Sequence, residues 1–144
     1  MRKWLAVMGL VFLFGVAACQ APQTRALNVT DAWARPASTG GTSAIYFNID
    51  NPGNTADALL SAEAGVSQMV ELHMSSMGEG GVMTMQEQER VEVPAGTLVE
   101  FKPGGLHVML INLTEDLSPD DTFQVTLTFE NAGRMTVDVP VRAP

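Results

Sequence analysis

The stretch 123-FQVTLTFENAGRMTVDVPVR-142 decides how this chain folds. Phe123, Val125, Leu127 and Phe129 alternate with Gln124, Thr126, Thr128 and Glu130. That period of two is the mark of a strand with one buried face and one wet face. Asn131-Ala132-Gly133 turns the chain, and Met135, Val137, Val139 and Val141 then alternate with Arg134, Thr136, Asp138 and Arg142. The segment reads as an antiparallel hairpin. Outward from it the same grammar repeats. Ile45 to Ile49 is an apolar-rich run closed by the turn signal Asn51-Pro52-Gly53-Asn54. Val91-Glu92-Val93 leads through Pro94-Ala95-Gly96 to Leu98-Val99-Glu100-Phe101, and Pro103-Gly104-Gly105 separates that run from Leu106 to Leu113. No segment beyond the N-terminus carries an apolar stripe of helical period. Short strands with Gly and Pro between them predict an antiparallel β-sandwich or barrel.

The N-terminus reads differently. Arg2 and Lys3 precede an apolar run from Trp4 to Val16, and small residues lead into Cys19. This is the pattern of an export signal rather than of a membrane span. Val16-Ala17-Ala18-Cys19 resembles a bacterial lipobox, which predicts a signal peptide over 1–18 and a lipidated Cys19 opening a tether over 19–27. The folded domain is then 28–144, and the only membrane contact expected is through the lipid. Without residues 1–18, 126 of the 144 remain, enough for one domain with its own core. Lys plus Arg fall from 8 to 6 against 16 Asp plus Glu, so the net charge moves from −8 to about −10. A strongly acidic protein is a poor binder of nucleic acid. The domain has no thiol other than that of Cys19, which excludes thiolate sites such as blue-copper and iron–sulfur centres.

What the domain does have is imidazole and thioether. Both histidines lie in the motifs 73-HMSSMGEGGVMTM-85 and 107-HVM-109, which also hold most of its methionines. Thioethers are soft, neutral ligands that favour Cu(I) over harder divalent ions. Strand alternation puts His107 and Met109 on the face opposite Val108 and Leu110, and Glu71 and His73 on the face opposite Val70 and Leu72. Residues 75–81 read as a loop or wide turn, from which Met83 and Met85 emerge on one face. A hairpin of this form brings His73 and Met83/Met85 together, and pairing with the 107–111 strand closes a four-ligand pocket. Met69 and Met135 are expected in or near the core, as is Met74, which shares the alternation of Val70 and Leu72. Met77 is expected in the loop.

The spacing His73-Met74, ten residues, Met85, twenty-one residues, His107-x-Met109 resembles the motif of the periplasmic copper chaperone family PCuAC. Asp31-Ala32-Trp33-Ala34-Arg35, Val70-Glu71-Leu72-His73, Gly81-Val82-Met83-x-Met85 and Lys102-Pro103-Gly104-Gly105-x-His107 extend the resemblance over most of the domain. The resemblance implies a cupredoxin-like antiparallel Greek-key β-sandwich. It further implies one Cu(I) held at an exposed site by His73, Met85, His107 and Met109; from their own positions Met83, a competitor of Met85, and Met77 and Met74 are candidate accessory ligands. The chain ends Val141-Arg142-Ala143-Pro144 without the His/Met-rich extension that carries a second copper in some members, so one high-affinity site is expected.

No Ser/His/Asp set or spaced carboxylate pair is visible, so the expected activity is binding and transfer rather than catalysis. Family members deliver copper toward cytochrome c oxidase, often beside an Sco-type protein, and such a copper-accepting partner is the expected recipient of a periplasmic, monomeric lipoprotein. A copper-buffering or resistance protein would need the same site. A copper redox enzyme is the remaining alternative.

Overall fold

The computed structural model describes residues 26–143. The signal peptide, Cys19 and most of the tether lie outside the described residues. Among the described residues no helix is long and apolar enough to cross a membrane.

Ten strands build two sheets. They are β1 (Asn28–Ala34), β2 (Thr42–Asn51), β3 (Asp57–Ala64), β4 (Ser67–Met77), β5 (Met83–Glu87), β6 (Val91–Val93), β7 (Thr97–Phe101), β8 (Leu106–Leu113), β9 (Thr122–Phe129) and β10 (Gly133–Pro140). One sheet has six strands in the order β1-β2-β7-β8-β4-β5, and the other has four in the order β10-β9-β3-β6. Every strand pairing is antiparallel except a single parallel contact of Phe101 with Leu106. The chain crosses between sheets after β2, β3, β5, β6 and β8. This is the expected cupredoxin-like Greek-key sandwich.

The hairpin that fixed the fold class forms as read, with Thr122 to Phe129 opposite Pro140 to Gly133. Val125, Leu127 and Phe129 are buried by alternation, as is Val139. The turn is tied down by the buried Asp57 at the start of β3. Its carboxylate accepts the Asn131, Ala132 and Ala58 N–H groups at 2.9, 2.8 and 2.8 Å. From the six-stranded sheet Ile45, Phe47, Ile49, Leu72, Phe101, Val108 and Leu110 face these residues across the sandwich. Phe47 and Phe101 stack with ring centroids 4.4 Å apart.

Two features of the larger sheet position the site. First, β2 serves two strands in series: Thr42 to Ile45 pair with β8, and Phe47 to Asn51 pair with β7. The chain between β7 and β8 therefore makes a tight loop over Lys102-Pro103-Gly104-Gly105, where Gly104 has φ +78°. A side chain there would strain the backbone. Second, β4 and β5 extend past the smaller sheet. Leu72 is buried, but Met74 two residues on is 39% exposed, and every residue of β5 is exposed.

That overhang corrects three expectations. Ser75, Ser76 and Met77 are not loop but the end of β4, paired with Met85, Thr84 and Met83. Polar Ser76 is tolerated there because it is exposed beside an edge strand, and the Ser76 and Thr84 hydroxyls bond each other at 3.1 Å. The turn is confined to a single 3₁₀ turn, Glu79–Gly81, in which Gly80 and Gly81 take positive φ. Met74 is not core, because the sandwich ends before it. Met69 is not core either: it is 52% exposed, and in register opposite Ile111 it shares the outer face with Glu71 and His73. Met135 is half-buried against the core, as expected.

Candidate metal centre

The outer face of the larger sheet carries the histidines. In the β4–β8 register His73 sits directly opposite His107, and Glu71 directly opposite Met109. On the other side of β4, Ser75 is opposite Met85 and Met77 opposite Met83. Directly opposed residues share a face, so His73, Ser75, Met77, Met83, Met85, His107 and Met109 all project to one side. Ala44 of β2 adjoins Met109 on the same side. Val108 and Leu110 between them are fully buried on the reverse side, which anchors β8 to the core.

The hydrogen bonds of their second nitrogens select the tautomer of each imidazole. His107 Nδ1 lies 3.0 Å from the Gly105 carbonyl oxygen, which can only accept, so Nδ1 carries the proton and the Nε2 lone pair is free. The same carbonyl accepts Ser75 N–H at 3.0 Å, so the Gly104-Gly105 loop is locked to β4 and His107 together. His73 Nε2 donates to Glu71 Oε2 at 2.7 Å. Its Nδ1 is then the lone-pair nitrogen, and it is buried without a partner among the described residues. A buried polar atom left unmatched costs about 1–3 kcal/mol, so such an atom calls for an explanation. A metal ion supplies one. The two rings are 5.8 Å apart by centroid. That matches two imidazoles sharing one ion at about 2 Å per bond.

A cleft of about 330 Å³ opens beside His107, lined by Met109, Met85 and Met83 with Ser75, Tyr46, Ala44, Arg35 and the Pro103-Gly104 loop. Ser75 is small and 5% exposed, so it forms a floor over which a β5 side chain can lean toward β8. Tyr46 is buried beside His107, ring centroids 6.4 Å apart, and Trp33 packs on its other side at 4.7 Å. Burial pushes the Tyr46 hydroxyl above the ordinary phenol range, with Arg35 pulling it partly back. Tyr46 is thus a neutral wall. The Arg35 guanidinium lies 5.9 Å from the Tyr46 ring centre, and that of Arg142 lies 5.0 Å from the Trp33 ring centre. No three His, Cys, Asp or Glu side chains converge among the described residues, and the soft donors beside His107 are the thioethers of Met83, Met85 and Met109.

Residues 27–141 match the family model described as "Putative lipoprotein LpqE-like". The chain belongs to the LpqE-like family. Its similarity to "Putative lipoprotein Lxx21020" of Leifsonia xyli subsp. xyli is 31% identity over 88% of this chain and 76% of that protein. Among solved structures it is similar to the "Apo PCuAC domain from PmoF1", with TM-score 0.70 and 26% identity over 82% of this chain and 94% of that one. It is also similar to CuI-DR1885 from Deinococcus radiodurans, with TM-score 0.63 and 26% identity over 87% of this chain and 85% of that one. The PCuAC resemblance read from the sequence therefore holds for this LpqE-like protein.

Of the residues singled out from the sequence, the fold of this LpqE-like domain brings His107, Met109, Met85 and Met83 to one cleft and sets His73 against His107. Register separates the two β5 methionines: Met85 is two pairs from the His73 row, and Met83 is four. Met77 shares the face but does not line the cleft, and Met74 faces the other way. His107 is more enclosed than an exposed site implies, at 5%. Three contributors went unread. Glu71 was detectable, because a carboxylate two residues before a strand histidine shares its face. Gly105, whose carbonyl orients His107, and Ser75, whose size opens the floor, act through pairings that no local pattern announces.

Proposed function

We propose that this LpqE-like protein is an extracytoplasmic copper chaperone that holds one Cu(I) between His73 Nδ1, His107 Nε2 and the sulfurs of Met85 and Met109, and passes it to a partner. The observation that carries this reading is the pair of imidazoles 5.8 Å apart, each with its second nitrogen hydrogen-bonded and its lone pair without a protein partner. Two thioethers in the adjoining cleft complete a neutral, soft ligand set that suits Cu(I). The binding of copper by similar PCuAC domains supports it.

The ligands act by binding and exchange alone. Four neutral donors hold a +1 ion without changing its oxidation state, and Glu71 places a compensating negative charge behind His73. The cleft is open on one side, so an incoming partner's donors replace the thioethers one at a time while the more enclosed imidazoles release last. A copper-accepting protein of the respiratory oxidase assembly route, such as an oxidase subunit or an Sco-type protein, is the proposed recipient. Cys19 is the proposed lipid attachment point after removal of residues 1–18, with 19–27 as tether to a domain over 28–144 in the periplasm.

Anaerobic competition for Cu(I) against a chromophoric chelator tests the reading. Tight binding by the wild type, lost in a His107→Ala/Met109→Ala variant that remains folded, is the expected result. No competitive binding by the wild type, or equal binding by both proteins, refutes it.

A further inference from the structure

The copper reading leaves the tip of the β4–β5 hairpin unexplained. Met77 and Met83 stand directly opposite one another in register and are 66% and 51% exposed. They close the hairpin beside the Glu79–Gly81 turn, where Gly78 N–H donates to the Val82 carbonyl at 2.8 Å. Each leaves at least half of its surface exposed. β5 is an edge strand, exposed throughout, and such strands ordinarily carry charge or β-branched residues. Two flexible thioethers at the solvent end of an edge hairpin gain less from packing than core methionines do, so the sulfur is their distinguishing chemistry.

We propose that Met77 and Met83 form a second, weaker Cu(I) site at the hairpin tip, through which the ion enters and leaves the His73/His107 centre. The inference rests on the copper reading of this face. Directly opposed residues of an antiparallel pair have Cβ atoms about 4.5–5.5 Å apart, so two methionine sulfurs can meet at one ion between them. Met83 also lines the cleft with Met85, whereas Met77 does not. Met83 therefore belongs to both ends of the path: it shares the ion with Met77 outside and presents it to Met85 inside. Each transfer is a ligand exchange. One Cu–S bond to the outgoing thioether, or to an external neutral donor, breaks as one to the next thioether forms, and the ion stays Cu(I) with no proton or electron moved. Two thioethers bind more weakly than two imidazoles with two thioethers, so the tip fills second.

The purified protein, labelled with ¹³C at the methionine ε-methyl groups, is titrated anaerobically with Cu(I) and followed by methyl NMR. The first equivalent is expected to shift the Met85 and Met109 methyls. Further Cu(I) is expected to shift those of Met77 and Met83, at least ten-fold more weakly, with Met69, Met74 and Met135 unmoved. Met77→Leu is expected to abolish the second event and to slow loading from a weakly chelated Cu(I) donor several-fold, without changing affinity for the first ion. Met74→Leu, on the opposite face of the same strand, is expected to change neither. Methyls of Met77 and Met83 that stay silent in excess Cu(I) after the first ion has bound overturn the tip site alone. Equal effects of Met77→Leu and Met74→Leu overturn it as well. Shifts at Met77 and Met83 without a first, tighter event would leave the tip site standing and refute the His73/His107 centre instead.

Discussion

Glu71→Gln is the substitution that most sharply probes the site, because it keeps the shape of the residue and removes only its charge. Glu71 Oε2 holds the His73 Nε2–H at 2.7 Å, with the His73 and Glu71 side chains 14% and 24% exposed. At that burial solvent screens the contact only modestly. A hydrogen bond to a charged group contributes about 1.5–3 kcal/mol and a neutral one about 0.5–1.5, so the exchange forfeits about 1–1.5 kcal/mol of orientation. Each 1.4 kcal/mol is ten-fold in affinity, so Cu(I) affinity is expected to fall by about 5- to 12-fold. The amide can also present its NH₂ to Nε2. That would favour the tautomer with the proton on Nδ1, the nitrogen proposed to bind. Glu71→Ala removes the acceptor altogether and is expected to approach the 100-fold end of the range seen when groups orienting a histidine ligand are lost. The assay is anaerobic chelator competition, with circular dichroism to establish that each variant is folded. Affinities within two-fold of wild type for both folded variants would refute the assignment of His73 Nδ1 as a ligand oriented by Glu71.

Other predictions test the fold and its attachments. Leu110→Ala, in the core behind the site, is expected to lower stability by about 2–5 kcal/mol, whereas Met69→Ala on the exposed outer face is expected to stay within about 0.5 kcal/mol; similar denaturation midpoints for the two would contradict the placement of Met69. The Asp116 carboxylate accepts from the Thr39 N–H and hydroxyl, both at 2.7 Å, and these bonds hold it below its ordinary value of 3.8. Its contribution is therefore fully present above that value and lost as pH falls through the lowered folded-state one. Asp116→Asn is expected to melt below wild type at pH 7, with the gap closing below about pH 4; a gap independent of pH would refute the linkage. Incorporation of labelled palmitate in the producing cells is expected for the wild type and absent for Cys19→Ser, and its absence from both would remove the lipid anchor.

Alternation made the fold class legible, because it is a local property. Phe123 to Phe129 show in their own residues which side is buried, and the structure buries that side; along β8 the same holds for Val108 and Leu110. The donor chemistry was equally local: a domain with two histidines, clustered methionines and no thiol beyond Cys19 has a narrow choice of metal. Strand ends were not legible. Ser75 to Met77 look like loop by composition, yet they pair with β5, because an edge hairpin in solvent accepts polar residues that a central strand would not. Met74 has the alternation of a core residue but lies past the end of the smaller sheet.

The sequence by itself determined an antiparallel β architecture, an imidazole-and-thioether donor set and the residues able to supply it, since each follows from side-chain type and a period of two. Only the tertiary structure decided that His73 faces His107, that Glu71 and the Gly105 carbonyl fix their free nitrogens, and that Met85 stands nearer than Met83. These depend on the register between strands distant in the chain, and register is set by how the two sheets bury their cores, which no local pattern records.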